Sequence, residues 1–293
     1  MIPTAKERAL KTVARCLSLA WVRPLSSYAL SSWVSSLLKR NVRIFCDSVW
    51  LRSDGNVAIA LGPNAPVRRN EILRWKPAAA ELTELAASFW YLFYKPAKGD
   101  VILDIGAGMG EDTILFAASV GDAGLVYSFE AHPMTAVCLA KTIEHSKLSN
   151  AVPVHAAIYD KTCTLKIEDR SDDQWQENSV IPLDSRQHIR AFEVPAFPLD
   201  QFEPLSKHDS IAFIKMNIEG AEVDALHGMT RTLAKTKAIC VACHDFLSAK
   251  NPKMKTKSAC RQLLQDAGFI VQDTDPNSPP WQRDHLHAIR PPA

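Results

Sequence analysis

Val101, Ile102 and Leu103 form a short apolar run that leads through Asp104 and Ile105 into three glycines at alternate positions, Gly106, Gly108 and Gly110. A run of this kind suits a strand buried on both faces of a parallel sheet. Lacking Cβ, the glycines let the backbone turn sharply and let a ligand approach it. Glu111 and Asp112 then fall where carboxylates favour a helix start, Ile114, Leu115 and Ala118 give that helix an inward stripe, and Gly121 stops it. Downstream the two periodicities alternate. Strands are expected at 125–130, 152–159, 237–242, 269–272 and 285–290 and in the stretch 211–222, whose end carries a dense polar cluster, with helices at 133–146, 221–229 and 257–267. This alternation predicts an α/β chain with a parallel sheet and right-handed crossovers.

The pattern before Asp100 is different. Residues 5–22 and 28–40 have helical spacing, and the β-rich runs 42–51 and 57–61 flank Ser53-Asp54-Gly55-Asn56, a hairpin signal. Pro77 opens a further helix whose stripe is Leu82, Leu85, Phe89, Trp90 and Phe93, and the aromatic cluster from Phe89 to Tyr94 is expected to pack in the core. Lys95-Pro96-Ala97-Lys98-Gly99-Asp100 marks a boundary, which divides the chain into an N-terminal extension, 1–95, and a glycine-loop domain, 96–293. Within the latter, Thr162 to Ile167 alternates like an added hairpin strand, and 192–199 is a further extended piece. The polar stretch 169–190, with Trp175 in its middle, is long enough to be a substrate lid.

Composition narrows the class. With 293 residues, 47% hydrophobic and 23% charged, the chain can hold one sizeable domain plus an extension. A net charge of +2 argues neither for nor against nucleic acid, the residue count shows no strongly basic face, and no nucleic-acid partner is expected. Seven cysteines, an odd and scattered set, point to reduced thiols and a cytoplasmic setting. Cys240-Val241-Ala242-Cys243-His244 matches the haem-attachment string, but it lies in an apolar strand run, so two core thiols and a strand-end histidine are the expectation. No apolar run is long enough for a transmembrane helix. Residues 1–45 carry Lys6, Arg8, Lys11, Arg15, Arg23, Lys39, Arg40 and Arg43 against Glu7 alone. An organellar transit peptide or a basic interfacial helix with weak peripheral membrane affinity has that composition, although a packed helical extension is the expected reading.

The candidate chemistry gathers at strand ends. A dinucleotide loop reads G-x-G-x-x-G, whereas this one reads G-x-G-x-G and is flanked by Asp104, Glu111 and Asp112. Those acids would repel phosphates but not a ligand with an ammonium, a sulfonium and no phosphate, which is S-adenosylmethionine. Glu130, at the end of the next strand, is placed to accept hydrogen bonds from ribose hydroxyls. Lys215, Asn217 and Glu219 alternate at another strand end and project to one side if that strand continues. His244, at a further strand end, is the leading candidate for a general base. No set of clustered oxygen ligands is evident, so no catalytic metal is expected.

The motifs VILDIGAGMGEDT, YSFEAHP, PVHAAIYD, FPLDQF and FIKMNIEGAEVDALHGM resemble, in order and spacing, the FkbM-type branch of the class I S-adenosylmethionine-dependent methyltransferases, over about residues 95–290. The resemblance implies a Rossmann-like, mostly parallel seven-stranded sheet with a reversed last strand. It also implies methyl transfer to a hydroxyl of a small-molecule or glycan acceptor, such as a sugar or a polyketide-like natural product. Asp104, Gly106, Ala107, Gly108, Gly110 and Glu130 sit where that family binds its cofactor, and Ala156 and Ala157 sit at the adenine edge. The family pattern Lys-x-Asp-x-Glu-Gly has Asn217 in place of the aspartate here. That departure keeps a non-catalytic cofactor-binding module as a rival reading, beside a nicotinamide oxidoreductase that the acids around the loop disfavour.

Overall fold

The computed structural model describes residues 12–13, 16–62, 88–168, 180–181 and 191–291. Half of the helix expected over 5–22 falls outside them, and of its described part 12–13 and 16–17 are helical while 18–22 form a turn; most of the helix expected after Pro77 also lies outside. Helix α1, Arg23–Leu38, starts earlier than its apolar spacing indicates, with Pro24 in its first turn. Its serines face strand β1, Val42–Asp47: Ser35 Oγ accepts from Val42 N at 2.9 Å and Ser31 Oγ from Ile44 N at 2.7 Å. The run 42–51 is not one strand. Ser48 adopts a left-handed φ of 62° and folds the chain back, so β2, Val49–Asp54, pairs antiparallel with β1. Strand β3, Val57–Gly62, completes a three-stranded sheet through the expected Asp-Gly turn.

Strand β4, Val101–Ile105, leads through the glycine loop into α2, Glu111–Val120, whose buried side includes Ile114, Leu115 and Ala117, not Ala118. Strand β5, Leu125–Glu130, helix α3, Pro133–His145, and β6, Ala151–His155, follow. The stretch 152–159 is not one strand either. At Ala156 the backbone N–H bonds to Glu130 O at 3.1 Å, and the chain leaves the sheet. The next segment, β7, Ala157–Ile158, belongs to a second sheet with β8, Cys163–Glu168, β9, Val180–Ile181, and β10, Ala191–Phe197, in the order β7-β10-β8-β9. The expected hairpin is therefore real, whereas all of the proposed lid except Val180 and Ile181 lies outside the described residues.

The chain returns with β11, Ile211–Met216, α4, Glu222–His227, α5, Thr230–Ala234, and β12, Thr236–Ala242. The single helix expected at 221–229 is thus two short ones. Helix α6, Lys257–Asp266, β13, Ile270–Asp273, α7, Pro280–Arg283, and β14, His285–Ile289, close the fold. The main sheet runs β13-β14-β12-β11-β4-β5-β6, parallel except that β14 is antiparallel to both neighbours. This is the Rossmann-like sheet with one reversed strand. Apolar clusters fill both faces, one centred on Leu103, Phe129 and Ile214, the other on Ile102, Phe116 and Phe213. Trp90 and Tyr91 are buried in the second cluster, as expected, and Phe89 and Tyr94 pack against it, but Phe93, expected with them, is exposed.

The small N-terminal sheet docks on α3. Ala58 N donates to Ser146 Oγ at 2.9 Å and Ala60 N to Thr142 Oγ1 at 3.0 Å, so helix hydroxyls satisfy backbone groups at the strand edge. Val49, Leu51, Ala58 and Ala60 pack there against Met109 and Cys138. Across the main sheet, register places buried polar residues in one row over five strands: Ser128, Asp104, Lys215, Cys240 and His287.

Candidate functional site

The C-terminal ends of β4, β5 and β11 open onto a cavity of about 420 Å³. In open α/β sheets this edge is where ligands bind. The three loop glycines serve different purposes. Gly106 has φ 78°, and a Cβ there would lie 1.9 Å from Asn217 O, so its constraint is the neighbouring backbone. At Gly110, φ 99°, a Cβ would press on Thr142 and Leu139. Only Gly108, φ 59°, has open space where a side chain would be, on the cavity side.

Beneath the loop lies a buried ion cluster. Lys215, 1% exposed, donates to Asp104 Oδ1 at 3.0 Å and to Gly106 O at 2.6 Å, and lies 3.5 Å from Asp112 Oδ2. Asp104 also accepts from Thr113 Oγ1 at 2.7 Å, and Trp90 Nε1 donates to Asp112 Oδ1 at 2.9 Å. Burial alone would lower the Lys215 pKa, but the two carboxylates outweigh it and hold the ammonium charged. Lys215 thereby offsets part of the acidity that the sequence places around the loop. Asp104 is fully buried, and neither it nor Gly110 lines the cavity.

Glu130 ends β5 at the cavity wall. Its Oε2 accepts from Gly108 N at 3.0 Å and its Oε1 from His132 N at 2.8 Å. Burial nonetheless pushes its carboxyl up to about 7. Ala156 and Ala157 border the same cavity where the chain changes sheets, and Gly106 and Ala107 border it on the loop side.

Strand β11 stops at Met216, so the expected continuation of its alternation does not occur. Glu219, φ 52°, and Gly220, φ 97°, take left-handed backbone and turn the chain into α4. Lys215, Asn217 and Glu219 still meet at the cavity, through that turn and not through strand periodicity. Asn217 N donates to Ile105 O at 2.9 Å, but its side-chain Oδ1 is buried without a hydrogen-bond partner, as is Glu219 Oε2. Buried acceptors without partners are costly; these two belong to residues of the cavity wall, whereas others, Glu222 Oε2 and Thr256 Oγ1 among them, do not.

His244 is not a free base. Its Nε2 lies 3.2 Å from Glu219 Oε1 and its Nδ1 3.6 Å from Glu222 Oε1, and it does not line the cavity. Burial would lower its pKa, yet the two glutamates raise it to about 10. At neutral pH it is an imidazolium, already carrying the proton that a general base must accept. Glu222, fully buried and missed by the sequence reading, is the second anchor of that charge. The other missed contributors are Leu165 and Ile167 of β8, which bring the second sheet to the cavity. Their signal was the apolar alternation of that segment.

The model of the methyltransferase FkbM domain matches residues 104–271. The chain belongs to this family. Membership gives the nicotinamide oxidoreductase reading no support. Among solved structures, the FkbM methyltransferase of Methylobacillus flagellatus KT aligns at 14% identity and a TM-score of 0.44, over 81% of this chain and 55% of that one. The present chain thus spans about half the length of that protein. An O-methyltransferase of Bacillus cereus in complex with SAH aligns at 14% identity over 72% of this chain and 80% of that one, TM-score 0.43. Aeropyrum pernix fibrillarin with bound S-adenosyl-L-methionine aligns at 13% over 71% and 72%, TM-score 0.41. No curated protein matches the chain. Among the described residues no helix is long and apolar enough to cross a membrane.

Proposed function

We propose that this FkbM-family chain transfers a methyl group to a hydroxyl oxygen of a small molecule or glycan. The observation that carries this reading is the pair of unpartnered buried acceptors, Asn217 Oδ1 and Glu219 Oε2, on residues that share a cavity with the glycine loop and Glu130. The residues present fit the cofactor: Gly108 leaves space, Glu130 offers a carboxylate to the ribose hydroxyls, and Ala156 and Ala157 leave room for the adenine.

When bound, S-adenosylmethionine supplies a methyl group on sulfonium sulfur that a positioned oxygen can displace. Lys215 acts as a positioning residue, fixing the loop through Gly106 O. Asn217 Oδ1 accepts a hydrogen bond from the bound ligand, a role that an amide fills without the charge of the family aspartate. Glu219 Oε2 holds the acceptor hydroxyl and takes its proton as the oxygen attacks. His244, as imidazolium, engages Oε1 and leaves Oε2 for that purpose. Residues 96–293 are the methyltransferase domain and 1–95 an extension, whose described strands pack on α3. Seven free cysteines support a cytoplasmic setting. Exposed Trp21, Leu25 and Tyr28 beside Arg23 support weak peripheral contact with a membrane.

The test is transfer of isotope-labelled methyl from S-adenosylmethionine to panels of sugars, hydroxylated natural products and matched amines. Label in a new C–O bond supports the reading. Label only on nitrogen or carbon overturns the oxygen specificity. Cofactor binding without transfer across the panels favours the non-catalytic module.

A further inference from the structure

The polar row across the sheet ends in a group that the methyl-transfer reading does not use. Cys240 of β12 and His287 of β14 are directly opposed, and His285 lies two residues along β14 on the same face. One ligand-capable atom from each lies within 4.8 Å of the other two. Cys240 Sγ and His287 Nε2 are 3.7 Å apart. A tetrahedral ion with bonds of about 2.3 Å to sulfur and about 2.05 Å to nitrogen holds such a pair roughly 3.6 Å apart.

Burial sharpens the case. Cys240, His285 and His287 are 0%, 5% and 3% exposed. Cysteine is at home in a core, but two histidines are not unless their nitrogens are satisfied. His285 Nδ1 is buried with no hydrogen-bond partner. Aromatic rings fix both imidazoles: Trp90 stacks on His285 at 5.3 Å and 8°, and Phe93 meets the edge of His287 at 5.3 Å. Lys215, the neighbour of Cys240 in the row, has its charge answered by Asp104 and Asp112, so the group does not face a bare cation.

We propose that Cys240, His285 and His287 bind a divalent cation of the zinc class. One thiolate and two imidazoles are a borderline-soft donor set suited to Zn²⁺. Binding releases the Cys240 thiol proton to solvent. The ion pins the reversed strand β14 to β12. None of the three residues lines the cavity, so the ion is structural and takes no part in methyl transfer.

The competing explanation is a plain thiol–imidazole hydrogen bond, and cobalt distinguishes the two. The full chain, free of any tag and stripped with a chelator, is titrated with Co²⁺ and then with Zn²⁺. The expected result is a thiolate-to-cobalt charge-transfer band that saturates at one equivalent and is displaced by Zn²⁺, together with a higher Tm in Zn²⁺. Cys240→Ser and His287→Ala lose the band. His145→Ala retains it, since His145 belongs to the other potential ligand group, with Asp47 and Glu144. A folded, stripped parent chain that gives no charge-transfer band overturns the proposal, whatever the variants do. So does a band that survives in Cys240→Ser or vanishes in His145→Ala.

Discussion

On the glycine-loop wall of the cavity, Glu130 accepts two backbone N–H bonds, and beneath it Asp104 is held by Lys215 and Thr113. On the β11 wall, the atoms Asn217 Oδ1 and Glu219 Oε2 are buried and have no hydrogen-bond partner among the described residues. An unsatisfied buried acceptor costs about 1–3 kcal/mol, so a fold retains one where a ligand returns the hydrogen bond. The loop wall is assembled in advance and needs only to receive the methyl donor. The β11 wall is completed by what binds there.

Disturbing the support of the loop wall should have the largest effect, and on stability. Lys215→Met leaves Asp104 and Asp112 without their cation and should cost about 3–5 kcal/mol, read by denaturant unfolding. On the other wall, Glu219→Gln should leave the fold intact and slow single-turnover transfer by about 10²–10⁴ once an acceptor is known, because the amide cannot take the proton. Asn217→Ala should lose about tenfold through one hydrogen bond, whereas Asn217→Asp retains or increases transfer. An Asn217→Ala variant as fast as the parent would remove that residue from the site.

The smallest effect is on pH dependence, and it belongs to the loop wall. Glu130 titrates at about 7 in the fold against an ordinary 4.5. Between those values the folded chain holds a proton that the unfolded chain has released. The contribution of Glu130 to stability therefore falls as pH rises through that window and levels off above about 7. Ribose hydroxyl donors favour the ionised form, so affinity for S-adenosylhomocysteine should rise severalfold from about pH 6 to about pH 8, on either side of that value of about 7. Glu130→Gln should flatten both trends. His244, held at about 10, stays protonated across this range and contributes no slope to binding.

The two walls also differ in how far the sequence reveals them. The loop, the helix start at Glu111 and the acid at Glu130 are local: glycine spacing and strand length set them, and they are found where expected. So is the reversed last strand, which came with the family resemblance. The breaks at Ser48 and Ala156 were hidden, because a left-handed serine and an amide bonded to Glu130 O are decided by tertiary partners. The charge of His244 was hidden for the same reason. It depends on Glu219 and Glu222 meeting it across a turn whose left-handed Glu219 no propensity announces. Asp104 was legible as part of the motif but not as a buried partner of Lys215, a pairing set by strand register.

The most direct test of the division between the walls needs no acceptor. Calorimetric titration of S-adenosylhomocysteine into the parent, Glu130→Ala and Glu219→Gln compares them at one pH. Glu130→Ala should bind about 1–3 kcal/mol more weakly, and Glu219→Gln within about twofold of the parent. A folded Glu130→Ala that binds like the parent, or a Glu219→Gln that loses as much as Glu130→Ala, would contradict the account.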